Sequence, residues 1–230
     1  MAQRTTQMMM TDAERDRVSA AVAAAEARSA GEIVTILADS SDSYHDVALL
    51  WSAGIAFLAL AVLGMRPDFY LGLIDRITGA WETPWHPRQV LEVGLMVAMV
   101  KFTGMWLLQL WRPLRLWLVP APIKHARVRT RAITCFRIGA EQRTAGRTGI
   151  LIYLSMAEHR AEIVADQAIA ALVPPEVWGE AMAAMLHHLR GGRQADGLIA
   201  AIERVGTVLA QHFPRAADDR NELPDRLIEV

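Results

Sequence analysis

The sequence predicts an α/β protein: a small mixed sheet flanked by helices, interrupted by a two-helix transmembrane hairpin. Three observations carry that prediction. Two runs of nineteen residues, 47–65 and 93–111, hold one charge between them, Lys101. Short β-branched and apolar stretches lie outside those runs, at 32–38 and 149–156. Apolar residues at helical spacing occupy most of the rest. The chain is 53% hydrophobic and 21% charged over 230 residues, with a mean hydropathy of +0.19. An average soluble domain is roughly 45–50% apolar and 25% charged, which excludes disorder and collagen-like classes. With 24 Lys+Arg against 25 Asp+Glu, there is no electrostatic footprint for a nucleic-acid partner, and none is expected. Cys135 is the single cysteine and has no partner for an internal disulfide.

The first soluble piece is residues 1–46. Thr11-Asp12-Ala13-Glu14 is a capping box, in which Thr11 accepts from the Glu14 backbone and Glu14 reaches back. Val18, Ala21, Val22 and Ala25 follow at helical spacing, with Gly31 read as the C-cap. Glu32–Ala38, EIVTILA, is a strand, and Asp39-Ser40-Ser41-Asp42 a turn cluster.

The membrane region is assigned to 47–119. Each apolar run, at 1.5 Å per residue, matches the ~30 Å hydrocarbon core. Trp51, Trp81, Trp85, Trp106, Trp111 and Trp117 lie within or beside this region, as expected where indole rings sit at membrane–water interfaces. The first run follows an acidic stretch, with no basic segment leading into it, so it is not read as a cleaved signal peptide. Residues 66–89 carry Arg66, Arg76 and Arg88. Residues 112–147 carry Arg112, Arg115, Lys124, Arg127, Arg129, Arg131, Arg137, Arg143 and Arg147, with Glu141 the one acid. The denser basic load should be cytoplasmic. The expected location is the cytoplasmic (inner) membrane, with two spans and both termini cytoplasmic. Arg112, Arg115, Lys124 and Arg127 are the basic residues expected to face anionic lipid. Lys101 is a membrane-embedded charge that either meets a helix or carbonyl or snorkels to the interface.

The second soluble piece is 120–213. Ile123, Ala126, Thr130, Ile133 and Ala140 mark a helical face. The segment 149–156 reads as a buried strand, followed by a tight connection at 157–160 and a returning strand from Ala161 to Ala165. Asp166 ends that strand. Pro174-Pro175 opens a helix with Val177, Trp178, Ala181, Met182, Met185, Leu186 and Leu189 on its apolar face, and Gly191-Gly192 breaks it. Leu198, Ile202, Val205 and Leu209 define a last helix, stopped at Phe213-Pro214. Residues 214–230 read as a polar C-terminal tail. The two main strands are joined through helices and should pair in parallel.

This arrangement resembles the TPM-domain family. The residues that carry the resemblance are SAGEIVTILADSSDSY at 29–44, TGILIYLSMAEHRAEIVAD at 148–166 and HFPRAADDRNELPDRL at 212–227. The likeness is greatest to a bacterial membrane-protein branch in which a span pair follows the first strand. It implies a mixed sheet with flanking helices and membrane anchorage. Some relatives act in photosystem repair in the thylakoid lumen and others as receptor accessory proteins. A phosphatase label and calcium binding attach to parts of the family. The internal spans, and VADQAI at 164–169 in place of a glycine-rich turn, separate this chain from the lumenal branch.

Catalytic constellations are absent. There is no Gly-rich phosphate loop, G-x-S-x-G elbow or H-E-x-x-H. A cysteine phosphatase needs Cys-x5-Arg, yet Glu141 occupies that position after Cys135. Asp39, Asp42 and Asp46 cluster at the carboxyl end of the first strand. Asp39 and Asp42 are therefore candidate ligands for a divalent cation, calcium or magnesium, against a preferred reading as turn and capping residues. Glu158 and His159 should lie at the same sheet end, and Asp166 at the other, near Glu32. Asp218, Asp219, Glu222 and Asp225 are read as a solvated tail, and His187 and His188 as surface residues. The expected function is an interaction or assembly module at the cytoplasmic membrane, with membrane lipids and a membrane protein as partners. The alternatives are a metal-dependent, phosphatase-like hydrolase and an anionic-lipid-binding anchor.

Overall fold

The computed structural model describes residues 10–79, 85–139, 148–215 and 226–230. The chain forms two compact units, Met1–Asp42 with Ala121–Val230, and Ser43–Pro120.

The first unit is the α/β part. Thr11 caps α1 (Asp12–Glu26): its Oγ1 accepts from Glu14 N at 3.3 Å, and its own N–H donates to Glu14 Oε2 at 2.9 Å. Next comes β1 (Glu32–Ala38), and after the inserted unit come α6 (Ala121–Gly139), β2 (Gly149–Ser155) and β3 (Arg160–Ala165). Then follow α7 (Gln167–Leu172), α8 (Pro175–Leu189), α9 (Gln194–His212) and β4 (Ile228–Glu229). The sheet order is β3-β2-β1-β4. β1 and β2 pair in parallel from Glu32↔Gly149 to Ala38↔Ser155, and β2 and β3 form an antiparallel hairpin.

β1 and β2 are buried at every position, which demands cover on both faces. Side chains alternate across a strand, so Ile33, Leu37, Ile150, Ile152 and Leu154 point one way. They pack on Val18 and Val22 of α1, Met185 of α8 and Leu198, Ile202 and Leu209 of α9. Val34, Ile36, Ala38, Leu151 and Tyr153 point the other way, onto Val128, Ala132 and Phe136 of α6.

Four sequence expectations change. The α6 face in the core is Val128, Ala132 and Phe136; Ala126 and Thr130, predicted to line it, are exposed, and Ala140 lies outside the described residues. Arginines alternate through this helix, and the sheet selected the stripe with the larger side chains. Gly31 is not a C-cap, because α1 ends at Glu26 with Ala27 in the right-handed helical region. Gly31 instead permits close packing: a Cβ there would meet Leu209 Cδ1 at 2.8 Å. Asp166 ends β3 but also caps the short helix α7, its Oδ1 accepting from Gln167 N at 2.7 Å. The predicted polar tail 214–230 returns to the sheet at its end, where β4 adds in parallel to β1 and Leu227 is buried.

The second unit contains α2 (His45–Met65), α3 (Pro67–Thr78), α4 (Pro87–Leu108) and α5 (Arg112–Leu118). α2 and α4 are long and apolar enough to cross a membrane, with mean hydropathies of 2.3 and 1.6 over their most apolar windows. α4 starts before the predicted run 93–111 because Pro87 takes its first turn and Gln89 Oε1 accepts from the His86 N–H. The two helices run antiparallel. Gly94 brings α4 against Leu63, and at the other end the Gln109 amide donates to Ala48 O at 3.0 Å and Ser52 Oγ at 3.2 Å. Ala59, Val93 and Val97 form a small core with Tyr70, Leu71 and Ile74 of α3 packed on it, while Phe69, Leu73 and Ile77 of α3 are exposed.

A chain in which a flexible linker joins residue 42 to residue 121 should unfold in one cooperative step in urea, followed by circular dichroism. In that chain Ile152→Ala should lower stability by about 2–5 kcal/mol. Gly206→Val should lower it by about 1–3 kcal/mol, since a Cβ at Gly206 would sit 2.7 Å from Ala25 Cβ. Gly179→Ala, in open space on α8, should raise it by about 0.4–1 kcal/mol.

Candidate functional site

The carboxyl ends of β1 and β2 lie side by side because Ala38 pairs with Ser155. Pairing continues past the strands, where Met156 N donates to Ala38 O and Ala157 N to Asp39 O, both at 2.9 Å. The chain leaving β1, Asp39–Asp42, therefore meets the β2–β3 turn. His159 turns that connection with a φ of 51°, a left-handed conformation in which His is enriched among non-glycine residues.

At the centre of this meeting is Glu158, only 6% exposed. A buried carboxylate must be hydrogen-bonded or it is expelled from the fold. Ser40 Oγ donates to Glu158 Oε1 at 3.1 Å, and the Ser41 N–H donates to both carboxylate oxygens, at 3.1 and 3.3 Å. Ser155 Oγ donates to Glu158 Oε2. Ser41 Oγ donates to Ser155 Oγ at 2.8 Å and lies 3.0 Å from Tyr153 OH. With the Ser41 and Ser155 protons directed inward, Tyr153 donates to Ser41. The chain Tyr153–Ser41–Ser155–Glu158 is polarised toward the carboxylate. Burial pushes the Tyr153 phenol above its ordinary value of 10.0. Cys135 nearby on α6 is also pushed up from 9.0 by burial, against the opposing pull of Arg131. Two contacts fasten α6 to this side of the sheet: an ion pair from Arg127 Nε to Asp42 Oδ2 at 3.3 Å, and His125 Nδ1 against Glu162 Oε1 at 3.4 Å.

The predicted candidates separate on this frame. Asp39, Asp42, Glu158 and His159 share the β1–β2 carboxyl end, whereas Asp166 sits at the other end, its N–H donating to Gly149 O beside Glu32. Asp46 is in the first turn of α2. Of the four basic residues, Arg112 is exposed on α5, Arg115 and Lys124 are partly buried, and Arg127 is engaged by Asp42. Asp218, Asp219, Glu222 and Asp225 lie outside the described residues. His187 is exposed and His188 half-buried, their rings edge to face. Ser40, Ser41, Ser155 and Tyr153 were missed, and the register of β1 on β2 is the signal that unites them.

A hard divalent cation does not fit this end of the sheet as arranged. The Glu158 carboxylate already accepts from three donors, Ser40 Oγ, the Ser41 N–H and Ser155 Oγ, and Asp42 already faces a guanidinium. Among the described residues no group of three or more His, Cys, Asp or Glu is placed to hold a metal ion. Nor is the Ser155 hydroxyl a nucleophile open to substrate, because Ser155 is fully buried.

Residues 123–208 match the family model TPM_phosphatase, described as the TPM domain. This segment is similar to the TPM domain. The match begins in α6 and ends in α9, and the sheet pairing extends the same folded unit to β1. A similar solved structure is the NMR structure of BA42 protein from the psychrophilic bacterium Bizionia argentinensis. It superposes with a TM-score of 0.57 at 18% identity, covering 98% of this chain and 98% of that one, which establishes likeness of fold. No curated protein matches the chain.

Within the α/β unit, Glu158→Ala should cost about 1–3 kcal/mol by leaving buried donors unpaired, measured by urea unfolding. The raised Tyr153 and Cys135 values carry a sign. The folded state holds both protons more tightly than the unfolded state, so this stabilisation is complete below each ordinary value and is lost as pH rises through the folded one. Stability of the Cys135→Ser domain should therefore fall above pH 10.0, and Tyr153→Phe in that background should flatten the decline.

Proposed function

We propose that the chain is an integral protein of the cytoplasmic membrane whose TPM domain is a cytoplasmic interaction or assembly module. One observation carries the membrane part. Only 28% of the most apolar window of α2 and 17% of that of α4 is buried. The core helix of a soluble protein would hide such a window; here Leu50, Phe57, Leu58, Leu91, Leu95 and Val100 are among the side chains that face outward. Apolar surface of this extent calls for lipid. Two further features support the reading. α5 exposes Trp111 and Trp117 beside Arg112, the amphipathic composition of a membrane–water interface. α3 emerges immediately after α2 with an exposed Phe69/Leu73/Ile77 stripe, which suits a helix lying in the opposite interface.

The interaction role rests on the state of the polar cluster. Glu158 organises two loops, and its hydroxyl partners are spent on it. Catalysis needs a nucleophile, a base and a charge stabiliser converging on a reactant; a saturated, buried carboxylate beside a buried serine offers none of these to solvent. The phosphatase-like reading therefore gains no geometric support. The basic segment retains a part as a lipid contact through Arg112, Arg115 and Lys124.

Impermeant thiol labelling of Gln89→Cys and Arg215→Cys in a Cys135→Ser background tests the topology in intact cells. Gln89→Cys should label and Arg215→Cys should not; the reverse pattern would invert the assignment. The purified domain should show no turnover of a generic phosphate ester with calcium, magnesium or manganese. Hydrolysis well above background, abolished in the Asp39→Ala/Asp42→Ala variant, would make it an enzyme.

A further inference from the structure

Lys101 is the one charged side chain within the two apolar runs. It lies eight residues beyond Val93 and ten before Trp111, about 12 and 15 Å along the helix axis. Both distances exceed the reach of a four-carbon stem to the interface. Ionisable residues at this depth ordinarily face the interior of a helix bundle and pair there. Lys101 does neither: it is exposed on α4, and no carboxylate or carbonyl partner of its ammonium stands among the described residues. The surface beside it is open. Gly104, on the same face one turn later, has no atom within 4 Å of where a Cβ would be, so another backbone can come close there.

We propose that the Lys101–Gly104 face of α4 docks a transmembrane helix of another protein that carries an Asp or Glu near mid-membrane. Charge selects this occupant. A second copy of the chain cannot supply the carboxylate, because neither 47–65 nor 93–111 contains an acid, and self-association through this face would bring Lys101 against apolar side chains or another lysine. Lipid cannot supply it either, since phosphate headgroups lie at the interface. Gly104 admits the close approach that lets a short acidic side chain reach the ammonium. The proposal rests on the membrane reading above and adds the chemistry of the partner.

The full-length chain, reconstituted in phosphatidylcholine vesicles and labelled with a donor dye, is titrated with acceptor-labelled single-span Leu/Ala peptides. One peptide carries a central Asp and the other a Leu at that position. Retention in the vesicles after alkaline carbonate extraction is checked first; release would overturn both the membrane reading and this inference. With the chain retained, energy transfer should report at least tenfold tighter association of the Asp peptide. Lys101→Leu should bring it to the level of the Leu peptide, and Lys101→Arg should preserve the preference. Equal association of both peptides, or a preference unchanged in Lys101→Leu, would overturn the docking face alone.

Discussion

The parallel pairing of β1 with β2 is the interaction on which the rest of the α/β unit depends. The two strands are separated in sequence by the whole inserted helical unit, yet they pair along their full length, from Glu32↔Gly149 to Ala38↔Ser155. Loop-closure entropy grows only logarithmically with length, so a long insertion weakens such a pairing little. What the pairing supplies is large. It makes two strands buried on both faces, and those faces recruit α1, α8 and α9 on one side and α6 on the other. Without it, the residues before the insertion would have a helix and a strand with nothing to cover them.

The same pairing creates the polar centre. Glu158 is three residues past Ser155, and Ser155 sits opposite the end of β1, so the Ser40–Ser41 backbone is delivered onto the carboxylate. Donors from both sides of the insertion converge on one buried charge, which ties the chain leaving β1 to the β2–β3 turn. A buried carboxylate stripped of these donors would be costly, and the cluster therefore specifies register as well as adding stability. Arg127 contributes from α6 through Asp42, so the third element around this sheet end is fastened by charge as well as by Val128, Ala132 and Phe136.

Local signals were legible where one segment carries its own answer. The Thr11/Glu14 capping box, the strand bounds 32–38, the proline start of α8 and the stop at Phe213-Pro214 all follow from a few neighbouring residues. Signals that depend on a partner were misread. The α6 sequence alternates arginine with apolar residues, so more than one stripe qualifies for a core, and only the sheet decides for Val128, Ala132 and Phe136. Gly31 looks like a helix terminator, but its absent Cβ serves the approach of Leu209 from the last helix. Two residues of β4 are too short to show a period of their own.

By itself the sequence determined α1, the first three strands, α6, α8 and α9, the two apolar helices, the parallel order of the first two strands and the shared end of Asp39, Asp42 and Glu158; the short helices α3, α5 and α7 and the strand β4 it did not show. Each of the features it determined follows from composition, periodicity or chain connectivity, which need no distant contact. Only the tertiary structure decided that Glu158 is a saturated hub, that Arg127 is paired with Asp42, that the tail closes the sheet edge and that Lys101 faces outward. These depend on which residues distant in the chain are brought together and which are left uncovered. That arrangement is set by strand register and helix packing, and neither is written in any local stretch.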